Sequence, residues 1–407
     1  MKGRRAILNA RLVCPDSGER TGGLLIEDET IAAVGDFAVP DDAEVIYAGG
    51  KLLAPAIVDL GVFTIDPAAF RAGGIARVGL MPDQTPVLDE PGVVQRAALI
   101  GRPNLWIHPL GGATKGLKGE ELAEMALNQE AGARAVGTGE RCIADSGVMR
   151  RVLAYARDLG LVVVSEAQDA GLIGQAVATE SETATRLGLP AAPAIAEALA
   201  IARDLLLVEE TGAALHLRQV TTARGFDLVR AAKARGLPVT CGISPAYLML
   251  SDLAIGDFRT FTRLSPPLRS EDDRQACLAA LADGTIDVLC SAHDPRGPEE
   301  KRLPFADSAF GMAGAATLLA TGLGFVRDGR IPLARLFAML ARAPGQLLGL
   351  DTGAFRPGLP ADLVLVDPDT PWRIGEDTLP GRARNTPFDG LPVQGRVLAL
   401  WKGGAAI

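Results

Sequence analysis

Histidine is nearly missing from this sequence: 407 residues contain three, at positions 108, 216 and 293. No site in the chain can therefore draw on four imidazoles. Lysine is scarce too. Seven of the 41 basic residues are lysine and the rest arginine, an excess read first as codon bias and second as interface chemistry. Net charge is −8, so no basic face is expected for nucleic acid or an anionic membrane. The five cysteines are scattered, odd in number and never in a CxxC pair. That excludes a disulfide framework or zinc knuckle and fits a reducing cytoplasm. There is no apolar run of about eighteen residues, hence no expected membrane span. The opening MKGRRAILNARLVCPDSGER has no apolar core of signal-peptide length.

What the chain does have is apolar material, 48% of it, enough for a sizeable core. Residues 1–54 read as short strands of period two, punctuated by Gly and Asp. From residue 55 onward short apolar strands alternate with helical stretches. Eight strands are expected, at 57–63, 75–81, 105–110, 133–138, 161–167, 213–220, 237–244 and 287–293. Amphipathic helices lie between several of them: ELAEMALNQEA, GVMRRVLAYARDLG, AIAEALAIARDLLLVEE, FDLVRAAKARG and DDRQACLAALADG. The pattern predicts the α/β class, with a (β/α)8 TIM barrel over 55–345. Strand character returns in 346–407, as in ADLVLVDPD and GRVLALWKGG. Because chain ends usually lie close together, 1–54 and 346–407 are expected to build one small composite β-sandwich.

Several stretches carry more specific wording: MPDQTPV at 81–87, TKGLKGEELAEM at 114–125, SPPLRSEDDR at 265–274 and DGTID at 283–287. PEEK at 298–301, AFGMAG at 309–314, PADLVLVDPD at 360–369 and NTPFDG at 385–390 continue the series. In this order the chain resembles the dihydroorotase family of the amidohydrolase superfamily, the cyclic amidohydrolases. The resemblance implies a hydrolase barrel with two zinc ions at the C-terminal ends of its strands, held by four histidines and two aspartates. Such metals bring a bridging water toward neutral pKa and polarise the substrate carbonyl.

Carried over residue by residue, those positions lack the implied donors. The strand-one Asp-x-His-x-His motif falls on 59–63 and puts Gly61 and Phe63 at the histidines. The strand-four aspartate region falls on Thr138 and Gly139, and the strand-five histidine on Glu166. The strand-six pair falls on HLRQ, where His216 matches but the metal-binding member is Gln219. The strand-eight aspartate, ligand and general base, is Ala292. Substrate-contacting positions differ too: Ile65 for the carboxylate-gripping arginine, Asp83 and Ser265 for asparagines, Arg296 for a histidine. The resulting expectation is no bound metal, no cofactor and no catalytic residue. It describes a pseudoenzyme: a non-catalytic dihydroorotase-like protein of pyrimidine biosynthesis, cytoplasmic, a homodimer and a structural partner of aspartate transcarbamoylase.

Two other readings stand beside it. One is an active cyclic amidohydrolase, dihydroorotase- or hydantoinase-like, with a reduced or absent metal site and Glu166, Asp83 or Asp294 as acid–base groups. The other is a pocket that only binds a small regulatory ligand. His216 lies three residues before Gln219, so on a strand the two face opposite ways. His216 and His293 read as structural, and His108 as a core or rim hydrogen-bonder. Cys290 has no histidine placed to activate it and reads as a buried, inert thiol. TKGLKGEE lacks phosphate-loop spacing and reads as an ordinary loop.

Overall fold

A computed structural model describes residues 3–381 and 383–407. Both chain ends contribute to one sheet. Its N-terminal strands are β1 (Arg4–Cys14), β2 (Gly18–Glu27), β3 (Thr30–Gly35), β4 (Glu44–Tyr47) and β5 (Leu52–Pro55). Its C-terminal strands are β16 (Leu363–Arg373), β17 (Pro392–Lys402) and β18 (Ala405–Ala406). The order is β18-β17-β16-β5-β1-β2-β3, with β4 also paired to β1. The seam between the ends is antiparallel, with Leu53 opposite Leu365 and Pro55 opposite Leu363. Ile7, Leu12, Leu24, Ile26, Leu53, Leu363 and Trp401 bury a core of their own beneath it.

Between the ends stands the barrel. Its strands are β6 (Ile57–Val62), β7 (Ile75–Leu80), β8 (Trp106–Gly112), β9 (Ala135–Gly137), β10 (Val163–Ser165), β13 (Leu215–Leu217), β14 (Val239–Ile243) and β15 (Val288–Leu289). All eight coincide with the strands expected from sequence and run parallel in sequential order. A separate two-stranded ribbon, β11 (Ala178–Thr179) and β12 (Ala191–Ala192), lies outside it. The barrel strands read as unbroken apolar runs because both their faces are covered. Inward, Val58, Leu60, Leu110, Ala135, Val164, Val288 and Cys290 fill the interior. Outward, Val163, Leu215 and Ile243 share the main core with Ile201, Leu205 and Val208 of the helix Ile195–Thr211 and with Phe226 and Val229 of Ala223–Ala234. First and last strands are stitched where they meet. The buried Asp59 accepts from the Ser291 N–H at 2.9 Å and from its hydroxyl, and the N–H groups of Phe63 and Thr64 donate to the His293 carbonyl.

Helix starts follow side-chain caps. Asp145 accepts from the Val148 N–H at 2.8 Å, and Ser270 from that of Asp273, ahead of an acidic first turn. One helix is shorter than expected. ELAEMALNQEA begins its helix only at Met125. Residues before it bridge back to the preceding loop, with Leu122 paired to Thr114 and the Lys115 N–H donating to the Glu121 carbonyl. That local sheet contact outcompetes the helical pattern.

The N-terminal end of the barrel is closed by charge. Asp362, just before β16, is flanked by Arg77 at 2.6 Å and Lys402 at 3.0 Å and also accepts from the Gly403 N–H. Arg77, Arg102 and Lys402 each stand 4.2–4.9 Å from the ring of Trp106. His108 lies against Arg77, and burial followed by those cations pushes its imidazole down to about 3. No helix among the described residues is long and apolar enough to cross a membrane.

Candidate functional site

At the opposite end, the C-terminal ends of the strands, a pocket is lined by Phe63, Glu140, Arg218, Tyr247, Leu264, Ser265, Ala292, Asp294, Phe310, Gly311 and Met312. This is where barrel enzymes carry their chemistry. Strand register sets what points there. Val164, His216 and Thr240 are cross-strand neighbours on β10, β13 and β14. Val164 belongs to the barrel interior. The two-residue period then places Glu166, Arg218 and Gly242 on the same inward face, one layer nearer the mouth.

Arg218 is the central cation of the pocket. It is 3% exposed and pairs with Glu166, which is 1% exposed. Its guanidinium carbon stands 5.0 Å from the centre of the Phe63 ring. Burial is the largest single influence and opposes its charge, but Glu166 together with Cys290, Tyr247 and Glu140 outweighs it and holds the guanidinium protonated. Burial raises the Glu166 carboxyl above its ordinary range, and Arg218 draws it back. The Glu166 N–H donates to the Thr138 hydroxyl at 3.1 Å, which fixes its backbone.

Three more carboxyls surround this pair. Glu140 is pushed up to about 7, by burial first and then by the charges of Asp83 and Asp294, against Arg218 and Arg296. Asp83 accepts the Glu140 N–H at 2.9 Å. Asp294 is bound by Arg296, and the Arg296 N–H donates to Asn385 at 2.8 Å. The Asn385 side-chain amide in turn donates to the Gly311 carbonyl. NTPFDG thus pins the strand-eight loop to the loop carrying Phe310. SPPLR works similarly: Arg269 is buried and bonds Gln168, Thr221 and Thr179. The buried Glu197 accepts from Thr221 and Thr222 in the same network.

Of the positions singled out from sequence, Phe63, Ser265, Ala292 and Asp294 line the pocket. Gly61, at φ +95°, faces Arg218: a Cβ there would lie 3.6 Å from its Cδ. Gly139 backs onto Asp83, and a Cβ there would come within 2.7 Å of the carboxylate. The Gln219 carbonyl accepts from the Ser244 N–H at 2.9 Å. Arg296 holds Asp294. Ile65 is not brought to the pocket; it lines a separate cleft with Leu80, Gln84 and Arg96. His216 lies inside the barrel against the Thr240 hydroxyl, 2.9 Å away, and burial brings it down to about 3. His293 accepts from the Ala315 N–H, sits edge-on to Phe70, and is brought by burial to about 4. Cys290 bonds the Ile243 carbonyl, and burial pushes its thiol up to about 12.

The side chains present do not fit a pair of zinc ions. Zinc takes three or four N, O or S donors from the protein. Among the described residues no three His, Cys, Asp or Glu side chains converge for one, and Glu166 is already committed to Arg218. Arg218, Tyr247 and Phe310 are not metal-ligand types, and Glu140 lies one residue beyond the strand-four positions Thr138 and Gly139, so carrying over the ligand motifs passes all four by. In HLRQ the two-residue period that sets His216 apart from Gln219 also puts Arg218 on the His216 face, and the strand register shows that this face is the inward one.

Comparison with known proteins matches residues 50–224 to the dihydro-orotase-like family model. The dihydroorotase of Syntrophotalea carbinolica is 37% identical over 96% of both chains, and that of Pelobacter propionicus 35% over 98% of both. Among solved structures, the L-hydantoinase (dihydropyrimidinase) from Arthrobacter aurescens superposes with a TM-score of 0.88 at 24% identity, covering 100% of this chain and 96% of its own. A D-hydantoinase from Thermus sp. gives 0.83 at 22%, covering 98% and 94%. These structures share the barrel fold. The relatives correct the expectation of a non-catalytic partner of aspartate transcarbamoylase. Proteins this similar over nearly their whole length bear an enzyme's name, which favours an active cyclic amidohydrolase. The physical reason the expectation failed is that it counted missing metal donors and overlooked a pocket with its own cation and titratable carboxyls. The chain belongs to the dihydroorotase-like family of the amidohydrolase superfamily.

Proposed function

We propose that the protein is a cyclic amidohydrolase that opens a small ring amide or imide of the dihydroorotate or hydantoin type, in pyrimidine metabolism. The observation that carries this reading is the meeting of Arg218 and Glu140 in one pocket at the barrel mouth. A carboxyl held near 7 is poised as a general base at neutral pH. Glu140 takes a proton from the attacking water as its oxygen bonds to the ring carbonyl carbon. Arg218 stabilises the oxyanion formed there. The ring C–N bond then breaks, and Glu140 returns the proton to the departing nitrogen. Asp294, held by Arg296, is placed to accept a ring N–H. Free space in the pocket is about 30 Å³, room for roughly two waters. A ring therefore enters only when a covering side chain such as the half-buried Phe310 swings aside.

Ultraviolet assays of ring opening with dihydroorotate and hydantoins test this. Turnover is expected, with Glu140→Gln lowering kcat by about 10²- to 10⁴-fold. Absence of ring opening with every such substrate overturns the reading. It also includes a cytoplasmic location, supported by five unpaired cysteines, and a homodimer. The dimer is supported by Ile195, Leu199 and Leu206, exposed along one stripe of their helix. A chain that sediments as a monomer at micromolar concentration removes the dimer.

A further inference from the structure

Three positions at which the resemblance calls for metal ligands surround one guanidinium. Gly61 leaves room for the Arg218 stem, which a side chain at that position would meet at 3.6–3.7 Å. Phe63 offers its ring face to the charge. Glu166 supplies the counterion. The residue types absent from a metal site are thus the types that accommodate an arginine: no side chain, an aromatic face and a carboxylate. Nor is the pair self-sufficient. Arg218 Nε and Glu166 Oε1 are buried without a hydrogen-bond partner, on residues that are 3% and 1% exposed. Buried polar groups are nearly always paired, so two orphans on one ion pair at the barrel mouth point to a ligand.

We propose that Arg218 is a built-in cation in place of the metal pair. It fills their space, takes Glu166 as a fixed counterion, and uses its free Nε–H to bind the carbonyl oxygen of a ring amide and the oxyanion made from it. Guanidinium stays protonated at any pH the fold survives, so the pocket keeps its positive charge without a metal. The polarising role rests on the amidohydrolase reading; the occupation of the metals' space does not.

Two kinds of measurement test these parts separately. First, the full chain is incubated with excess zinc, dialysed, and its metal counted by mass spectrometry, alongside melting temperature with and without chelator. Substoichiometric zinc and a chelator-insensitive melting temperature are expected. Stoichiometric zinc that is lost in Glu166→Gln puts a metal beside Glu166 and sinks the proposal, whether or not ring opening is ever found. Second, Arg218→Met is expected to lower the melting temperature by stranding Glu166. The double variant Arg218→Met with Glu166→Gln removes both charges and is expected to recover most of that loss. Its ring opening stays down by about 100-fold or more, and added guanidinium ion restores part of the turnover of Arg218→Ala. A double variant that turns over like the parent overturns the polarising role, because a merely structural pair would be dispensable once both charges are gone.

Discussion

The two ends of the barrel treat buried charge in opposite ways. At the N-terminal end Asp362 meets Arg77, Lys402 and a backbone N–H, and three cations face Trp106. None of these groups has a buried polar atom without a partner. Toward the mouth, Asp83 Oδ2, Glu166 Oε1, Arg218 Nε and Arg263 Nε lack partners. Among the described residues the other such atoms are Asn128 Oδ1, Gln219 Nε2 and His293 Nε2, and none of the seven belongs to the charged cluster around Asp362 and Trp106. An unsatisfied buried group costs about 1–3 kcal/mol. A fold that tolerates several of them at one end, while leaving no buried charged atom without a partner around Asp362 at the other, reserves the first end for something that binds.

The sharpest way to break that contrast is to unpair the closed end. Asp362→Ala strands Arg77 and Lys402 and is expected to cost about 3–5 kcal/mol of stability in denaturant titrations. Ring opening per folded molecule should be unchanged. If Asp83→Ala at the mouth costs as much, the two ends do not differ and the contrast fails. A finer change sharpens it. Asp83→Asn keeps an acceptor for the Glu140 N–H but removes a charge that raises the Glu140 carboxyl. Asp294 still raises it, and Arg218 and Arg296 still lower it. Glu140 should therefore lose its proton at lower pH. The acid limb of the ring-opening profile, which rises through about 7 in the parent, moves downward in the variant. A limb that stays put removes Glu140 from the role of base.

The fold was open to reading from sequence because it rests on repetition. Runs such as LVVVSEA and LPVTCGIS, short and rich in β-branched residues, read as strands covered on both faces, and eight of them with helices between describe a barrel. The site was less open. Gly61, Phe63 and Gln219 were found by what they lacked, and absence says nothing about what fills the space. Arg218 needed the register of β10, β13 and β14 to be recognised as inward-facing, and Glu140 needed the loop that brings Asp83 and Asp294 beside it. Ile65 shows the converse: a position transferred by resemblance, which the backbone turns into a different cleft. Charge in a pocket is assembled from distant segments, and only the backbone path shows which of them meet.

The seam of β5 against β16 has a consequence for how the molecule is made. β5 ends at Pro55 and its partner begins at Leu363. At synthesis rates of about 5–20 residues per second, β1 to β5 wait roughly 15–60 s for that partner to be translated. During this time the apolar face formed by Ile7, Leu12, Leu24 and Leu53 has nothing from the C-terminal strands to cover it. The growing chain emerges as an unfinished sheet with an open hydrogen-bonding edge on β5, a target for chaperones and a hazard for self-association. Completion of this small sheet, a contact of very long sequence separation, is the slow, late step that closes the fold.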